Sequence, residues 1–312
     1  MKIKKLGICT LASLMVLGCL AGCTTGGKTE KEPENKKIEN VVTMESQTLG
    51  LEKVENARQL GGYYTEDGRR VKANMLLRSG KLINATEGDI EKLTDTYNLG
   101  TIVDLRTTSE IEKAPNPTID GVEDIHVRIL NEDTPTDANS AAMTKIYGSD
   151  PVDALIGMAT DGTLSDDMYI TTINSESAKK GFAEFFQILL DNEEGKAVLW
   201  HCTGGKDRTG TAAVLLLSAL GVDEDTILDD FALTNEFFKG KIDYMGAEAA
   251  KKTDDQEIID GVRTLTGVSR DFMKKMIDSL TDEYGSVENF IIEELNVSKD
   301  DIVKLQDMYL ES

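Results

Sequence analysis

The residues of this 312-residue chain that are best suited to chemistry lie in one short segment, HCTGGKDRTG at residues 201–210. Five residues separate the thiol of Cys202 from the guanidinium of Arg208. A thiolate is a strong nucleophile, and a guanidinium binds two oxygens of a phosphate at once. The segment therefore indicates a site that binds a phosphate group and lets a sulfur atom attack it.

The flanking sequence supplies the elements that would position these side chains. The apolar run 196–200 predicts a buried strand, and residues 209–220 predict a helix that ends at Gly221. A glycine-containing loop between a strand and a helix N-terminus directs backbone amides at an anion. The thiol of Cys202, held among these positive dipoles, is expected to be present as the thiolate.

The pattern HCxxGxxR[ST]G resembles the phosphate-binding loop of the cysteine-dependent protein tyrosine phosphatases, and the full segment resembles the bacterial atypical tyrosine and lipid phosphatases. Two more stretches resemble that subgroup. Residues 56–62 (NARQLGG) are similar to its signature N-x-R-D-x-G-G, and residues 104–110 (DLRTTSE) are similar to its D-L-R-x-x-x-E segment. The resemblance implies a tyrosine phosphatase-like α/β fold over residues 46–312, with a parallel-rich sheet flanked by helices and a helical C-terminal part. It implies hydrolysis of phosphomonoesters without a metal or other cofactor.

The resemblance also assigns roles within the loop. Cys202 would attack phosphorus to give a phospho-cysteine intermediate, and Arg208 would bind the phosphoryl oxygens. His201 would shape the loop, and Thr209 would steady the leaving thiolate. The residues expected to contact the substrate phosphate are Thr203, Gly204, Gly205, Lys206 and Thr209.

The general acid that protonates the leaving oxygen is open at this point. The chain has a single tryptophan, Trp200, and lacks the Trp-Pro-Asp motif that carries this acid in most tyrosine phosphatases. Asp207 is favoured because the atypical subgroup has an aspartate in the loop itself. Asp133 and Asp104 are the alternatives, although Asp104, close to Arg106, also fits an ion pair that braces the loop.

Lys206 bears on the substrate, because lipid phosphatases of the superfamily also have a lysine in this loop. It suggests phosphoinositides or inositol phosphates alongside phosphotyrosine. Three alternatives stay open: an enzyme specific for phosphoinositides or inositol phosphates, a phosphate-binding module without turnover, and sulfur transfer by a rhodanese-like loop. A phosphorylated protein or a phosphoinositide is therefore the expected partner.

The rest of the domain predicts strands alternating with helices, which favours a mostly parallel sheet with its site at the carboxyl ends of the strands. Asp104, Arg106, residues 131–137 and Cys202 each follow a predicted strand and should face one pocket. The predicted elements are a hairpin turn at 67–68, helix 86–97 capped by Thr86, strands 101–105 and 124–130, an amphipathic helix 176–191, and helices throughout 223–312.

The N-terminal residues predict export. Lysines precede an apolar run that is short for a bilayer span, which is typical of a signal peptide over residues 1–22. The sequence LAGC at 20–23 resembles a lipoprotein processing box, so Cys23 is expected to carry lipid and to hold the protein on the outer side of the cell membrane. Residues 23–45 predict a disordered tether. An ordinary secretory signal is the alternative.

Charge and cysteine content narrow the function further. The net charge of −22 argues against nucleic acid as a partner, because such binding needs a basic surface. An anionic substrate must then be attracted by a local positive site. Of the four cysteines, Cys9 and Cys19 lie in the predicted signal and Cys23 at its end. The folded domain would keep one thiol, that of Cys202.

Overall fold

The computed structural model describes residues 39–131 and 150–312. Within them, a five-stranded sheet has the strand order β1-β3-β6-β4-β5. The strands β3, β6, β4 and β5 pair in parallel, and only β1 is antiparallel to its neighbour. The bounds are Arg58–Gln59 for β1, Leu76–Ser79 for β3, Leu99–Asp104 for β4, Glu123–His126 for β5 and Ala197–His201 for β6. The predicted α/β class with a parallel-rich sheet is confirmed.

Helices flank this sheet and form most of the C-terminal part of the domain. Their bounds are α1 Met44–Gln47, α2 Glu87–Glu91, α3 Thr108–Lys113, α4 Pro151–Thr160, α5 Met168–Ile173, α6 Glu176–Asp191, α7 Asp207–Leu220, α8 Glu224–Ala232, α9 Thr234–Phe237, α10 Lys239–Ala250, α11 Gln256–Thr266, α12 Arg270–Tyr284, α13 Val287–Glu294 and α14 Lys299–Tyr309.

The two faces of the sheet pack into separate hydrophobic clusters, because successive side chains of a strand point to opposite faces. Val198 and Trp200 of β6 pack with the apolar faces of α6 and α7 in the larger cluster. Leu199 joins a smaller cluster on the other face with Leu93 and Tyr97. The central strand is therefore buried on both sides, which fixes the position of the loop that follows it.

Local signals place some element ends correctly. Thr86 forms the predicted cap through a reciprocal pair of bonds with Asp89, and Gly221 ends α7 in the left-handed conformation. The predicted helix 86–97 is α-helical only over Glu87–Glu91 and continues as a π-helix over Lys92–Thr96. The π-helix lies beside β4, against which Leu93 is buried.

Several predicted bounds are wrong, among them those of strands 101–105 and 196–200, which run over Leu99–Asp104 and Ala197–His201. α7 begins at Asp207 instead of residue 209, because the glycine loop itself turns into the helix. β5 ends at His126, and the last hydrogen bond of its parallel ladder with β4 runs from the N–H of Val127 to the carbonyl of Asp104. The C-terminal part does not end as helix: Leu310–Glu311 form β7, which pairs antiparallel with β2, Arg70–Val71.

The folded part starts before residue 46, where the predicted tether was expected to end. The side chain of Asn40 donates to the carbonyl of Tyr64, 3.0 Å away, and α1 begins at Met44. The predicted signal peptide and Cys23 lie outside the described residues. None of the helices in the described ranges combines the length and apolar character needed to cross a bilayer.

Candidate active site

The carboxyl ends of three parallel strands meet where the chain passes Cys202. His201, the last residue of β6, is paired with Ser79 of β3 on one side and with Asp104 of β4 on the other. The predicted convergence of Asp104, Arg106 and Cys202 is therefore observed. Asp133, the other predicted candidate for the general acid, lies outside the described residues.

Three carbonyls of the loop after β6 accept hydrogen bonds from the surrounding structure. The ring Nδ1 of His201 bonds to the carbonyl of Cys202 at 3.1 Å, and the N–H of Lys81 donates to that of Thr203 at 3.1 Å. The carbonyl of Gly205 accepts from Asn56 at 2.8 Å. In a trans peptide the N–H points opposite to the C=O. The amides that follow these carbonyls therefore point into the loop, where they can bind an anion.

Gly205 is required by the close approach of this loop to β3. Its φ is +65°, and a Cβ placed on it would lie 2.3 Å from the carbonyl carbon of Ser79. Gly204 has no such constraint, because the nearest atom to its Cβ position is 3.6 Å away, on the side chain of Lys206. Only the second glycine of the pair is sterically fixed.

The N-terminus of α7 lies directly after the loop and has no side-chain cap. The first amides of a helix have no intrahelical partner, and the helix dipole adds positive potential there. The loop amides and the helix end together have the arrangement that favours an anion.

Arg208 is held by a residue that was absent from the predicted site. Glu110 of α3 accepts hydrogen bonds from its two terminal nitrogens, at 2.6 and 2.8 Å. Burial would raise the pKa of Glu110, but the hydrogen bonds and charge of Arg208 outweigh it and lower the pKa to about 2. Both side chains are buried. The guanidinium is thereby fixed along one edge.

Two threonines of the loop are placed differently. The hydroxyl of Thr203 donates to Glu110, so it belongs to the same network as Arg208. The hydroxyl of Thr209 is buried and has no partner among the described residues, and the carbonyl of Thr209 accepts from Trp200 at 3.1 Å. Thr209 is therefore not a helix cap, and its hydroxyl remains available to another group in the loop.

Asp104, Arg106 and His201 form a buried brace beside the loop. Arg106 donates to both carboxylate oxygens of Asp104, the shortest contact being 2.6 Å. Burial would raise the pKa of Asp104, but these bonds and the neighbouring charges lower it. Burial lowers the pKa of His201 against the opposing charge of Asp104, so the ring is held neutral. The amide of Asn116 donates to its Nε2 at 2.9 Å. A paired, ionised Asp104 is placed to brace the loop.

Lys206 and Asp207 are both engaged in this structure. The ammonium of Lys206 donates to the carbonyls of Leu265 and Gly267, at 2.8 and 2.9 Å, and lies 3.2 Å from Asp207. Two of its donors are thus bound to carbonyls, and its charge is paired with that of Asp207. Lys206 therefore binds the C-terminal end of α11 and adds no unpaired cation to the loop.

Asp207 opens α7 and is partly exposed. Its Oδ1 accepts a hydrogen bond from the hydroxyl of Tyr169, 2.8 Å away. Burial, followed by the charge of Asp207, raises the pKa of Tyr169 well above its ordinary value, so the phenol stays a donor. The buried side chain of Tyr169 thus orients the carboxyl of Asp207 at the partly exposed edge of the loop, which we call its rim.

A second buried network lies beneath the loop. The carboxylate of Asp230 in α8 accepts from Arg58 at 3.1 Å and from Arg78 at 2.7 Å. Arg78 also donates to the carbonyl of Gly205 at 3.1 Å, and Arg58 donates to the side chain of Asn56. All of these side chains are buried. The network connects β1, β3 and α8 to the underside of the loop.

Some of the site residues that the sequence analysis missed were recognisable from the sequence, and others were not. Glu110 ends the D-L-R-x-x-x-E segment, and Asn56 and Arg58 lie in the N-x-R signature, so each was recognisable by position. Arg78 and Asp230 lie outside the motifs described above. The only hint is a charged residue inside an apolar stretch, as in LLRS at residues 76–79.

Comparison with known proteins defines the class to which this fold and site belong. The sequence profile of the tyrosine phosphatase family matches residues 49–311. The chain belongs to the tyrosine phosphatase family, and it is a phosphatase that hydrolyses phosphoric monoesters.

Individual relatives agree with this assignment. A Cupriavidus necator protein provisionally named a tyrosine-protein phosphatase is 30% identical over 278 residues, which cover 84% of this chain and 88% of that protein. The triple specificity protein phosphatase PtpB of Mycobacterium tuberculosis is 24% identical, over 69% of this chain and 86% of its own length. A tyrosine-protein phosphatase of Nostoc commune is 26% identical, over 55% of this chain and 52% of its own.

Proposed function

We propose that the chain hydrolyses phosphotyrosine through a phosphorylated cysteine, with Cys202 as the nucleophile. The observation that carries this proposal is the loop after β6, where outward carbonyls leave inward amides around the position that follows His201. A phosphoryl group bound by these amides and by Arg208 brings its phosphorus to the sulfur of Cys202.

Arg208 is suited to both binding and catalysis. Glu110 occupies the edge formed by its two terminal nitrogens. The Nε–H and the outer N–H groups form no hydrogen bond with the described residues other than a 3.4 Å contact to the carbonyl of Leu105. They can bind two phosphoryl oxygens and the negative charge that develops during transfer.

The chemistry takes two displacements. The thiolate of Cys202 forms a bond to phosphorus while the bond to the tyrosyl oxygen breaks, and Asp207 gives its proton to that oxygen. Water then attacks the phospho-cysteine, the Asp207 carboxylate takes the proton of the water, and the S–P bond breaks. Inorganic phosphate leaves, the thiolate is restored, and Thr209 can donate its hydroxyl to it.

Asp207 is supported as the general acid by its position at the rim and by the bond from Tyr169. That bond holds Oδ1, and Oδ2, which lies 3.2 Å from the ammonium of Lys206, has to leave this ion pair to carry the proton. The alternative Asp104 is disfavoured, because two charged bonds from Arg106 keep it ionised. A general acid must hold a proton before the transfer.

Phosphotyrosine in proteins is favoured over phosphoinositides as the substrate. The phosphoinositide expectation depends on Lys206, and its ammonium is bound to Leu265, Gly267 and Asp207. It would have to leave these partners to reach a second phosphate. The name of the mycobacterial relative records triple specificity for that protein, and extending that range to this chain is part of the test below.

The setting proposed for this activity is the outer face of a cell membrane. The predicted signal peptide over residues 1–22, the processing box that ends at Cys23 and the polar tether support a lipid-anchored protein. Metabolic labelling of the expressed chain with a radioactive fatty acid tests this part. A Cys23→Ser variant should lose the label, and equal labelling of both chains would contradict the anchor.

Phosphate release tests the proposed activity. The full chain and its Cys202→Ser variant would be offered a phosphotyrosine peptide and a series of phosphoinositides, under reducing conditions. Release by the parent chain and its loss in the variant are expected. Equal release by the two chains would overturn the role of Cys202. No release by the folded parent would favour a binding module.

The Lys206→Met variant tests the substrate class in the same assay. If the ammonium stays on the carbonyls of Leu265 and Gly267, release from both kinds of substrate should fall by a similar factor. A loss confined to phosphoinositides would show that Lys206 leaves α11 to bind a second phosphate. That result would replace phosphotyrosine with lipid as the favoured substrate.

A further inference from the structure

Positive charge beneath the phosphate-binding loop is incompletely neutralised. Near the loop, Arg208 is paired with Glu110, Arg106 with Asp104, and Lys206 with Asp207. Each of these pairs has no net charge. Beneath the loop, however, Arg58 and Arg78 share a single carboxylate, that of Asp230. We call these three residues the arginine cluster. It carries one uncompensated positive charge.

The arginine cluster is fully buried. Arg58 and Arg78 are 0% exposed and Asp230 is 1% exposed. A buried charge without a partner costs several kcal/mol, so such a surplus calls for an anion close by. The Nε of Arg78 has no hydrogen-bond partner among the described residues. Burial and the neighbouring Arg58 lower the pKa of Arg78 to about 10, and the negative charges of Asp230 and Cys202 oppose this lowering.

Arg78 lies directly below the loop. In the parallel pairing of β3 and β6 it is opposite Trp200, two residues before Cys202. One of its terminal nitrogens donates to the carbonyl of Gly205 at 3.1 Å. The same nitrogen lies 3.3 Å from the Cβ position of Gly210, in the first turn of α7. The guanidinium therefore fills the space between the sheet and the loop.

We propose that Arg78 is a positioning residue of this phosphatase, whose surplus charge stabilises the thiolate of Cys202 and whose bond to Gly205 keeps the loop amides pointing inward. Arg58 and Asp230 hold Arg78 in place. The inference rests on the proposed role of Cys202 as nucleophile. It adds a second positive charge beside that of Arg208, whose guanidinium is paired with Glu110.

Other groups around the loop do not replace this charge. His201 is held neutral by burial, and the remaining charged neighbours are paired. Titratable or charged side chains described around the loop and the arginine cluster are Arg58 from β1, Tyr63 beside Asp230, Arg78 from β3, Asp104 and Arg106 at the end of β4, Glu110 from α3, Asp124 from β5, Tyr169 from α5, His201 from β6, Lys206, Asp207 and Arg208 around the start of α7, and Asp230 from α8.

Alkylation of Cys202 by iodoacetamide tests the proposal without requiring turnover. The rate would be followed against pH in the full chain, by mass spectrometry of the peptide that carries Cys202. In Arg78→Met the pH of half-maximal rate should rise by about one unit, which is about a tenfold slower reaction on the acidic side. In Arg78→Lys, which keeps the charge, it should stay within about 0.3 units of the parent value.

Asp230→Asn gives the opposite prediction. Removal of the carboxylate leaves two positive charges, so half-maximal alkylation should move to lower pH. A purely structural role predicts that Arg78→Lys and Arg78→Met behave alike and that no variant moves to lower pH. Arg70→Met is the control, because Arg70 forms an exposed pair with Glu311 far along the chain, and its profile should match that of the parent.

The outcomes separate this inference from the proposed function. Circular dichroism identifies the variants that fold, and either Arg78→Met or Asp230→Asn suffices for the test, because each has its own predicted shift of the midpoint. An unmoved midpoint in folded Arg78→Met or Asp230→Asn, or a Lys variant that follows the Met variant, overturns the inference. A parent chain that alkylates as expected but releases no phosphate overturns the proposed function and leaves the charge effect standing.

Discussion

Glu110 binds Arg208 by two hydrogen bonds of 2.6 and 2.8 Å, inside the protein and 98 residues away along the chain. This pair fixes the plane of the guanidinium before any phosphate arrives. It also pairs the charge of the loop arginine, and in the proposed account the arginine cluster adds to the positive potential that Arg208 and the backbone dipoles provide at Cys202. In this account, Glu110 and Arg208 set the geometry of phosphate binding, and the arginine cluster helps to stabilise the thiolate.

The first prediction concerns this pair. In Glu110→Gln, Arg208 loses its charged partner and its fixed plane. We expect the free energy of unfolding to fall by about 3 kcal/mol and kcat/KM for a phosphotyrosine peptide to fall about 100-fold. Urea unfolding and steady-state kinetics measure the two. Glu311→Gln, which breaks an exposed pair, should cost less than about 1 kcal/mol. Equal effects of the two substitutions would contradict this account.

The carboxyl of Glu110 also predicts how the free energy of unfolding depends on pH. The pKa of Glu110 is about 2 in the folded protein, below its ordinary value of 4.5. Between these pH values the unfolded chain binds a proton that the folded chain does not. The stabilisation is therefore complete above about pH 4.5 and is lost as the pH falls toward 2. Urea unfolding from pH 6 to pH 2 should show a shallower decline in Glu110→Gln than in the parent. Parallel curves would count against the assignment.

The glycines of the loop give a matched pair of substitutions. Gly205→Ala places a methyl group 2.3 Å from the carbonyl carbon of Ser79, at a φ of +65°. We expect a loss of about 3 kcal/mol in the free energy of unfolding. Gly204→Ala has open space and should change it by less than about 1 kcal/mol. Thermal unfolding of both variants measures the difference. Similar costs would show that the loop can shift away from β3.

The assignment of Asp207 predicts a dependence on the leaving group. Asp207→Asn should lower kcat/KM, which reports the transfer from substrate to Cys202, about 100-fold for a phosphotyrosine peptide. With 4-nitrophenyl phosphate, whose leaving oxygen needs no proton, the loss should be less than about tenfold. Asp104→Asn is the comparison, because a residue that braces the loop should affect both substrates alike. If Asp207→Asn also affects both substrates alike, the acid is another group.

The sequence predicted the part of the site that is formed by contiguous residues. The loop, its strand and its helix are contiguous, so periodicity and glycine spacing were enough to predict an anion site after residue 200. Thr86 and Gly221 were predictable for the same reason, because a helix cap is decided by residues within one turn. Family resemblance then supplied roles that spacing alone could not.

Contacts between distant segments could not be predicted in this way. The ammonium of Lys206 suggested a phosphate ligand, but its partners are carbonyls of Leu265 and Gly267, which only the packing of α11 brings near. Arg78 and Asp230 lie 152 residues apart, and neither belongs to a motif. Tyr169 meets Asp207 only because α5 packs beside the start of α7.

The central claim is that Cys202 carries the phosphoryl group between substrate and water, and trapping tests it most directly. The parent chain and Cys202→Ser would be mixed with a phosphotyrosine peptide, quenched in acid within milliseconds and digested for mass spectrometry. The account predicts a phosphoryl group on the Cys202 peptide of the parent and its absence from the Ser variant. Tyrosine released in a burst, with phosphorylation on another residue or on none, would contradict it.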